Sequence, residues 1–387
     1  MINGEKIVDR PVRWAMVGGG RTGQIGYLHR SSALRDNNFQ LIAGAFDIDP
    51  NACRGFGVQL GLDEKRCYAS YKEMFSRESK LKDGIEAVSI ATPNSTHYEI
   101  CKAALCAGLH VICEKPLCFT VQEAEELESL AKAHGRVVGT MYGYAGYQTI
   151  EQARQMIAKG DLGDIRIVNM QFAHGFHCEA VEERSESLKW RVDPKVSGPS
   201  YVLGDLGTHP VYLAGVMLPH MKIKRLLCSR QSFVKTRAPL EDNAYTLMEY
   251  DNGAVGTLWC SGVNAGSMHS QKIRIIGSKA SIEWWDEYPN QLRYEIQGRP
   301  VQILERAMSY LYPEAQAEDR VSGGHPEGIF EAWSNLYARF ALAIDAANKG
   351  DAYNGWYPGI QEGVEGVRWV ENCVRSADQG AVWVDYQ

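Results

Sequence analysis

Short apolar runs alternate with helix-periodic stretches through the first 140 residues. VRWAMV (12–17) is a compact apolar run, followed by a glycine cluster and a helix-like stretch to about Leu34. QLIAGAF (40–46) reads as a second strand and PNACRGFGVQL as the helix after it. EAVSIAT (86–92), HVICE (110–114) and RVVGTMY (136–142) read as further strands. Between them, STHYEICKAALCAG and TVQEAEELESLAKAHG carry helical periodicity, and each ends in glycine. Thr120 is placed to cap the second of these helices, with Glu123 completing a capping box. Strands alternating with helices in this rhythm predict a doubly wound parallel sheet.

After about residue 145 the rhythm changes. A helix near 148–159 ends at GDLGD, and then come IRIVNMQFAH, KIKRLLCSRQSF, AYTLMEYD, AVGTLWCSG, QKIRIIGS and ASIEWW. These β-rich runs are joined by turn signals such as Asp251-Asn252-Gly253. Consecutive strands without intervening helices predict an α+β domain with an open, mainly antiparallel sheet. The expected division is 1–145 and 146–387. Helical patterns at 327–347 and 357–376 leave open that the last helices pack back on the first domain. The polar, irregular segment 178–200 reads as a loop.

Composition narrows the class. With 387 residues, 45% hydrophobic and 23% charged, the chain has the balance of a globular protein of two domains. The net charge of −6 comes with no basic stripe, which argues against nucleic acid as a partner. No apolar run approaches the ~20 residues of a membrane span. MINGEKIVDRP has no apolar core of a secretion signal, so a cytoplasmic location is expected. The ten cysteines show no CxxC pair and read as reduced, buried thiols. His174 and His177 have no third ligand near in sequence and read as loop or strand-end histidines, so no metal is expected.

The stretch MVGGGRTGQIGYLHR places Gly18, Gly20 and Gly23 in G-x-G-x-x-G spacing, with Arg21 and Thr22 inside it. It follows a predicted strand and opens a helix, the context in which this spacing points to a dinucleotide. The first glycine permits a tight turn, the second lets the backbone approach a pyrophosphate, and the third allows close helix–strand packing. Asp47 ends the second strand, where a carboxylate accepts hydrogen bonds from the adenosine ribose and repels a 2′-phosphate. Asp49 and Pro50 serve better than Asp47 as cap and first residue of the next helix. NAD is therefore expected, with Arg54 keeping NADP open.

GGGRTG, ATPNSTHYEICKAALCAGLHVICEKPL, WRVDPKVSG and GDLGTH, in that order, resemble the Gfo/Idh/MocA family of sugar and cyclitol oxidoreductases. The resemblance implies an N-terminal Rossmann domain, a C-terminal α+β domain, and a polyol bound between them against the nicotinamide. It matches Lys115 to the family's EKP lysine, which points at the reacting hydroxyl, and Glu114 to a residue near the nicotinamide. Physically, Pro116 restricts Lys115 to an extended conformation, and an ammonium there stabilises developing alkoxide charge. Asp205 and His209 match the family's D-x-x-x-H pair. A histidine serves as proton acceptor for a secondary hydroxyl while an aspartate orients it. As an isolated pair they would read as a cap and a packed histidine. Pro210 disfavours helical geometry at His209 and suggests a helix starting at Pro210. Thr92, Pro93, Asn94 and His97 match the family's element near the nicotinamide ribose, and Trp190 and Arg191 match the loop entering the sugar site. Tyr142, Tyr144 and His325 are candidate polyol contacts that serve equally well as packing or rim residues. The chain departs from many relatives at Ser197-Gly198-Pro199, where a double glycine is common, and at PVYLA, where an acidic residue is common.

The expected activity is NAD-dependent oxidation of a secondary hydroxyl of a cyclitol, sugar or glycoside. A glycoside-cleaving enzyme with a recycled NAD and a non-catalytic NAD sensor are the alternatives. A homo-oligomer is expected, with a tetramer favoured, because runs such as VGTLWC and IRIIGS are too apolar for open solvent.

Overall fold

The computed structural model describes residues 2–185 and 189–387, so three residues of the 178–200 loop lie outside the described chain. Two compact units emerge. Asn3–Gly143 and Trp333–Glu365 form the first; Tyr144–Ala332 and Gly366–Gln387, with Ile2, form the second. A single cut at residue 145 therefore does not describe the division, because residues 333–365 belong with the N-terminal half.

The first unit is built on five parallel strands. They are β1 (Val12–Gly18), β2 (Phe39–Ala45), β3 (Ala87–Ala91), β4 (His110–Glu114) and β5 (Val138–Met141), in the order β2-β1-β3-β4-β5. Their apolar runs are continuous because both faces of the sheet are covered. The helices are α1 (Gln24–Leu34), α2 (Pro50–Gln59), α3 (Tyr71–Glu78), α4 (His97–Cys106) and α5 (Val121–His134). Asp49 caps α2 by accepting the Ala52 N–H, with Pro50 in the first turn. Thr120 and Glu123 form the capping box of α5, and Gly135 closes it in the left-handed region. Strand order reverses between β1 and β3, the switch point at which such sheets bind ligands.

The second unit carries α6 (Gln148–Ala158), β6 (Ile165–Ala173), α7 (Thr208–Met217) and β7 (Ile223–Gln231). Then follow β8 (Asn243–Tyr250), β9 (Val255–Ser261), β10 (Gln271–Gly277) and β11 (Ala280–Trp285). β12 (Gln291–Ile296), β13 (Gln302–Glu305) and β14 (Val384–Asp385) complete the sheet. The two long helices α8 (Ile329–Lys349) and α9 (Ile360–Asp378) each contribute residues to both units. The nine strands run β13-β12-β11-β10-β6-β9-β8-β7-β14, and every pair is antiparallel except β6–β9. Side chains alternate across this sheet. Ala244, Thr246 and Met248 of β8 are buried, while Tyr245 and Leu247 face outward. Ser376 of α9 donates no more than geometry requires: its hydroxyl accepts the Cys228 N–H at 2.8 Å and ties that helix to β7.

Candidate active site

The glycine turn between β1 and α1 is shaped by close approach. A Cβ on Gly18 would lie 2.5 Å from the Ala91 carbonyl oxygen, and Gly18 has φ +74°. A Cβ on Gly20 would lie 2.7 Å from the Phe46 carbonyl. Gly23 precedes α1 without a side-chain cap, so the first N–H groups of the helix are left for an anion. The closest helix–strand approach falls one turn later than the motif suggests. A Cβ on Gly26 would lie 2.1 Å from the Gly19 oxygen, against 3.1 Å for Gly23 to the Gly19 Cα. Gly26 was outside the motif and was missed for that reason. Arg30, also missed, donates to the Gly19 carbonyl at 2.6 Å and lies over the Phe56 ring, which fixes the turn. These bare-backbone cradles fit a dinucleotide pyrophosphate.

Asp47 follows β2, half-buried, and accepts the Asp49 N–H at 2.9 Å. Ile48 beside it is 98% exposed, an apolar surface next to the ribose carboxylate. Arg54 pairs with Glu64 at 3.4 Å on the surface, and Arg21 donates to Gln59 at 2.6 Å. Thr92 and Pro93 follow β3, and Asn94 opens a short turn before α4. Thr96 holds this loop by donating to the Pro93 carbonyl. His97 is fully buried, with Nδ1 2.8 Å from the Pro116 carbonyl and Nε2 3.0 Å from the Thr92 carbonyl. It therefore ties together the loops that follow β3 and β4. Burial lowers its pKa against the pull of those two carbonyls.

Glu114 ends β4, and a buried chain of hydrogen bonds runs from it. His29 Nε2 lies 3.1 Å from Glu114 Oε1, and His29 Nδ1 lies 2.5 Å from the Tyr337 hydroxyl. Tyr337 continues to Ser89 at 2.9 Å, and Ser89 accepts from Trp14 Nε1 at 2.9 Å. This chain gives Glu114 a fixed orientation from β1, α1, β3 and α8. Lys115 follows, half-buried, and its bond to Pro116 is cis. Tyr142 is 1% exposed, and burial pushes its hydroxyl pKa up. Packing is the role this position favours.

In the second unit, Asp205 and His209 lie on one continuous helical segment. Leu203–Gly207 forms a π-helical turn, and α7 follows from Thr208. The expected helix start at Pro210 is thus corrected. Pro210 has no N–H to give the helical ladder, so an extra residue per turn just before it forfeits little. The wider turn also relieves the clash between its ring and the preceding carbonyl. Glu241, fully buried, holds the entry of this segment: its Oε1 accepts from Ser200 Oγ, the Tyr201 N–H and the Leu203 N–H at 2.7, 3.0 and 3.1 Å.

His209 is 9% exposed, with the Tyr144 ring edge-on at 4.9 Å between centroids and Phe172 at 6.0 Å. Asp205 pairs with Arg191 at 3.5 Å, and the Arg191 guanidinium lies 4.5 Å over Trp190. His174 and His177, read as loop histidines, join this group. Their rings lie 5.1 Å apart, and His177 Nδ1 meets the Tyr201 hydroxyl. Burial, then the neighbouring His177, lowers the pKa of His174 to about 4, so it is neutral near pH 7. Among the described residues, no three His, Cys, Asp or Glu side chains are placed to hold a metal. His269 and Asp286, missed in the sequence, lie beyond the paired ends of β10 and β11 and face Tyr144 and Phe172. Nothing in their spacing of 17 residues marks them; only the hairpin brings them together. His325 stands apart from this group, exposed, with Ser322 3.2 Å from its Nδ1 and Arg306 on its carbonyl.

A glycine cradle at the switch point of a parallel sheet, with a second unit carrying histidines and an aspartate on a π-helical turn, defines a dinucleotide-dependent oxidoreductase class. The chain belongs to the Gfo/Idh/MocA oxidoreductase family: residues 12–142 match its NAD-binding Rossmann fold and residues 154–386 its C-terminal alpha/beta domain. An inositol dehydrogenase homologue from Azotobacter vinelandii, solved as a complex with NAD+, is 67% identical over 100% of both chains, with a TM-score of 0.98. A second structure of an inositol dehydrogenase homologue from that organism, complexed with NADH and myo-inositol, is 66% identical over 100% of both chains, with a TM-score of 0.96. An uncharacterized oxidoreductase of Bacillus subtilis is 58% identical over 100% of both chains. No helix among the described residues is long and apolar enough to cross a membrane.

Proposed function

We propose that this protein is an NAD-dependent dehydrogenase that oxidises a secondary hydroxyl of a cyclitol. The observation that carries this reading is full-length similarity, at 66% identity, to a protein whose structure is complexed with NADH and myo-inositol. Gly18, Gly20, Arg21, Thr22 and Gly23 would hold the pyrophosphate. Asp47 would hold the adenosine ribose, and Thr92, Pro93, Asn94 and Glu114 the nicotinamide end. His97 acts through the loops it ties. NAD, when bound, supplies the hydride acceptor. His209 takes the hydroxyl proton, Asp205 and Arg191 set the charge around it, and Lys115 stabilises the oxygen as it becomes anionic. Trp190 contributes an apolar face for the C–H side of the ring. Tyr142 is assigned to packing and His325 to the rim.

NAD is preferred over NADP because a 2′-phosphate would meet the Asp47 carboxylate. Ten free cysteines support a cytoplasmic location, and an apolar open face on the second sheet supports a homo-oligomer. The test is an absorbance screen at the NADH band, with NAD or NADP, against inositols, aldoses and glycosides. Accumulating NADH with an inositol supports the reading; cleavage of a glycoside without net NADH would replace it.

A further inference from the structure

Behind Tyr144 stands a pair of residues that the proposed chemistry leaves unused. Asp286 follows β11 and is 5% exposed at its side chain; it meets His269 Nδ1. Its other oxygen, Oδ1, accepts the Gln271 N–H at 2.9 Å. Glu287 braces the same turn, accepting the His269 and Ser270 N–H groups at 3.2 and 2.8 Å. The imidazole is thus clamped from one side, and its far nitrogen, Nε2, lies 3.3 Å from the Tyr144 hydroxyl. The Tyr144 ring, in turn, lies edge-on against His209.

The direction of these hydrogen bonds follows from the carboxylate. An ionised Asp286 can only accept, so the neutral imidazole carries its proton on Nδ1. Nε2 is then an acceptor, and the Tyr144 O–H donates to it. The phenol oxygen is left with acceptor character on its remaining side. We propose that Asp286 and His269 fix Tyr144 as a hydrogen-bond acceptor for a substrate hydroxyl beside the one that is oxidised. The position follows from the contact between the Tyr144 and His209 rings: a polyol that delivers one hydroxyl to His209 brings a neighbouring one toward Tyr144. Tyr144 touches substrate in this scheme; His269 and Asp286 are positioning residues. The side chain that reads the second hydroxyl makes the site selective for vicinal diols over isolated secondary alcohols.

This inference rests on the cyclitol reading above, and its test has two arms. In the first, kcat/KM is measured for myo-inositol and for each monodeoxy-inositol with the wild-type enzyme, Tyr144→Phe and Asp286→Asn. Wild type should lose roughly 2- to 12-fold on one deoxy isomer beyond its loss on the others, the size of one neutral hydrogen bond. Tyr144→Phe should erase that extra loss. Asp286→Asn should erase it too, because an amide donating to Nδ1 moves the imidazole proton to Nε2, which then donates to Tyr144. The tyrosine O–H is turned into a donor without any change in packing. An unchanged discrimination pattern in Tyr144→Phe overturns the proposal. The second arm needs no substrate: ¹⁵N NMR of the His269 ring should report the Nδ1-protonated tautomer in the wild type and the Nε2-protonated one in Asp286→Asn. If wild type oxidises no cyclitol the functional reading fails, and this arm then decides the triad by itself. An Nε2-protonated His269 in the wild type overturns it.

Discussion

His209 is wedged between the Tyr144 and Phe172 rings on a helical segment whose entry is pinned by Glu241. A group held this firmly can move a proton without first being oriented. His209→Ala should therefore lower kcat by roughly 10² to 10⁴, the usual size of a general-base contribution, while NAD affinity measured by fluorescence titration stays near the wild-type value. Near-native kcat would make the histidine a packing residue. Lys115→Ala should also cripple turnover, and the double variant should lose much less than the product of the two single losses, because groups acting on one hydroxyl are not additive. Asp47 lends itself to a separate test. Its carboxylate accepts the Asp49 N–H but does not cap α2, a task left to Asp49. Asp47→Ala should narrow the preference for NAD over NADP by weakening NAD more, read as the ratio of kcat/KM values. A wild-type preference for NADP would remove the ribose role.

Among the elements, β4 shows how burial couples to pH. His110 opens that strand fully buried; its Nδ1 accepts the Val137 N–H at 2.9 Å, and its Nε2 faces Asn348 Oδ1 at 3.0 Å. Both bonds suit the neutral ring, and burial lowers its pKa to about 4. His174 at the end of β6 is lowered similarly. The unfolded chain, with histidines near 6.5, binds these protons first, so stability is full above about pH 6.5 and falls as pH drops toward 4. The loss should reach on the order of 3 kcal/mol for each histidine. Urea midpoints measured between pH 7 and 4.5 should fall accordingly, and His110→Gln should flatten part of the slope; a flat wild-type profile would contradict the burial argument. The same elements mark what the sequence made legible. The five parallel strands and the Thr120–Glu123 cap followed from apolar runs and local chemistry alone. α3 did not, because YKEMFSRE carries few apolar residues and buries only Met74, Phe75 and Glu78. β12 and β13 were missed because QLRYEI and QILE are mostly polar edge strands. The π-helical turn was misread because Pro210 looks like a helix start when the extra residue before it is invisible. In the site, the glycine motif and Asp205-x-x-x-His209 were legible by spacing, whereas His29, His269 and Asp286 gain meaning only through strand pairing and helix packing.

For the whole molecule, the outer face of the second sheet sets the expected assembly. Tyr245, Leu247 and Val255 are 52%, 44% and 45% exposed, and Tyr245 stacks on Trp259 with planes 6° apart. An apolar, aromatic face of this kind on β8 and β9 fits a second copy of the chain. Light scattering at micromolar concentration should give a multimer, most simply a tetramer, and Leu247→Lys should shift it toward smaller species; a wild-type monomer would contradict this. Hydride transfer itself remains the claim on which fold, site and family converge. Its direct measurement is mass spectrometry of the cofactor after turnover with myo-inositol deuterated at every ring carbon. The account predicts one deuterium in each NADH formed, matched by one equivalent of inosose. NADH carrying no deuterium, or turnover of the polyol without any net NADH, would contradict it.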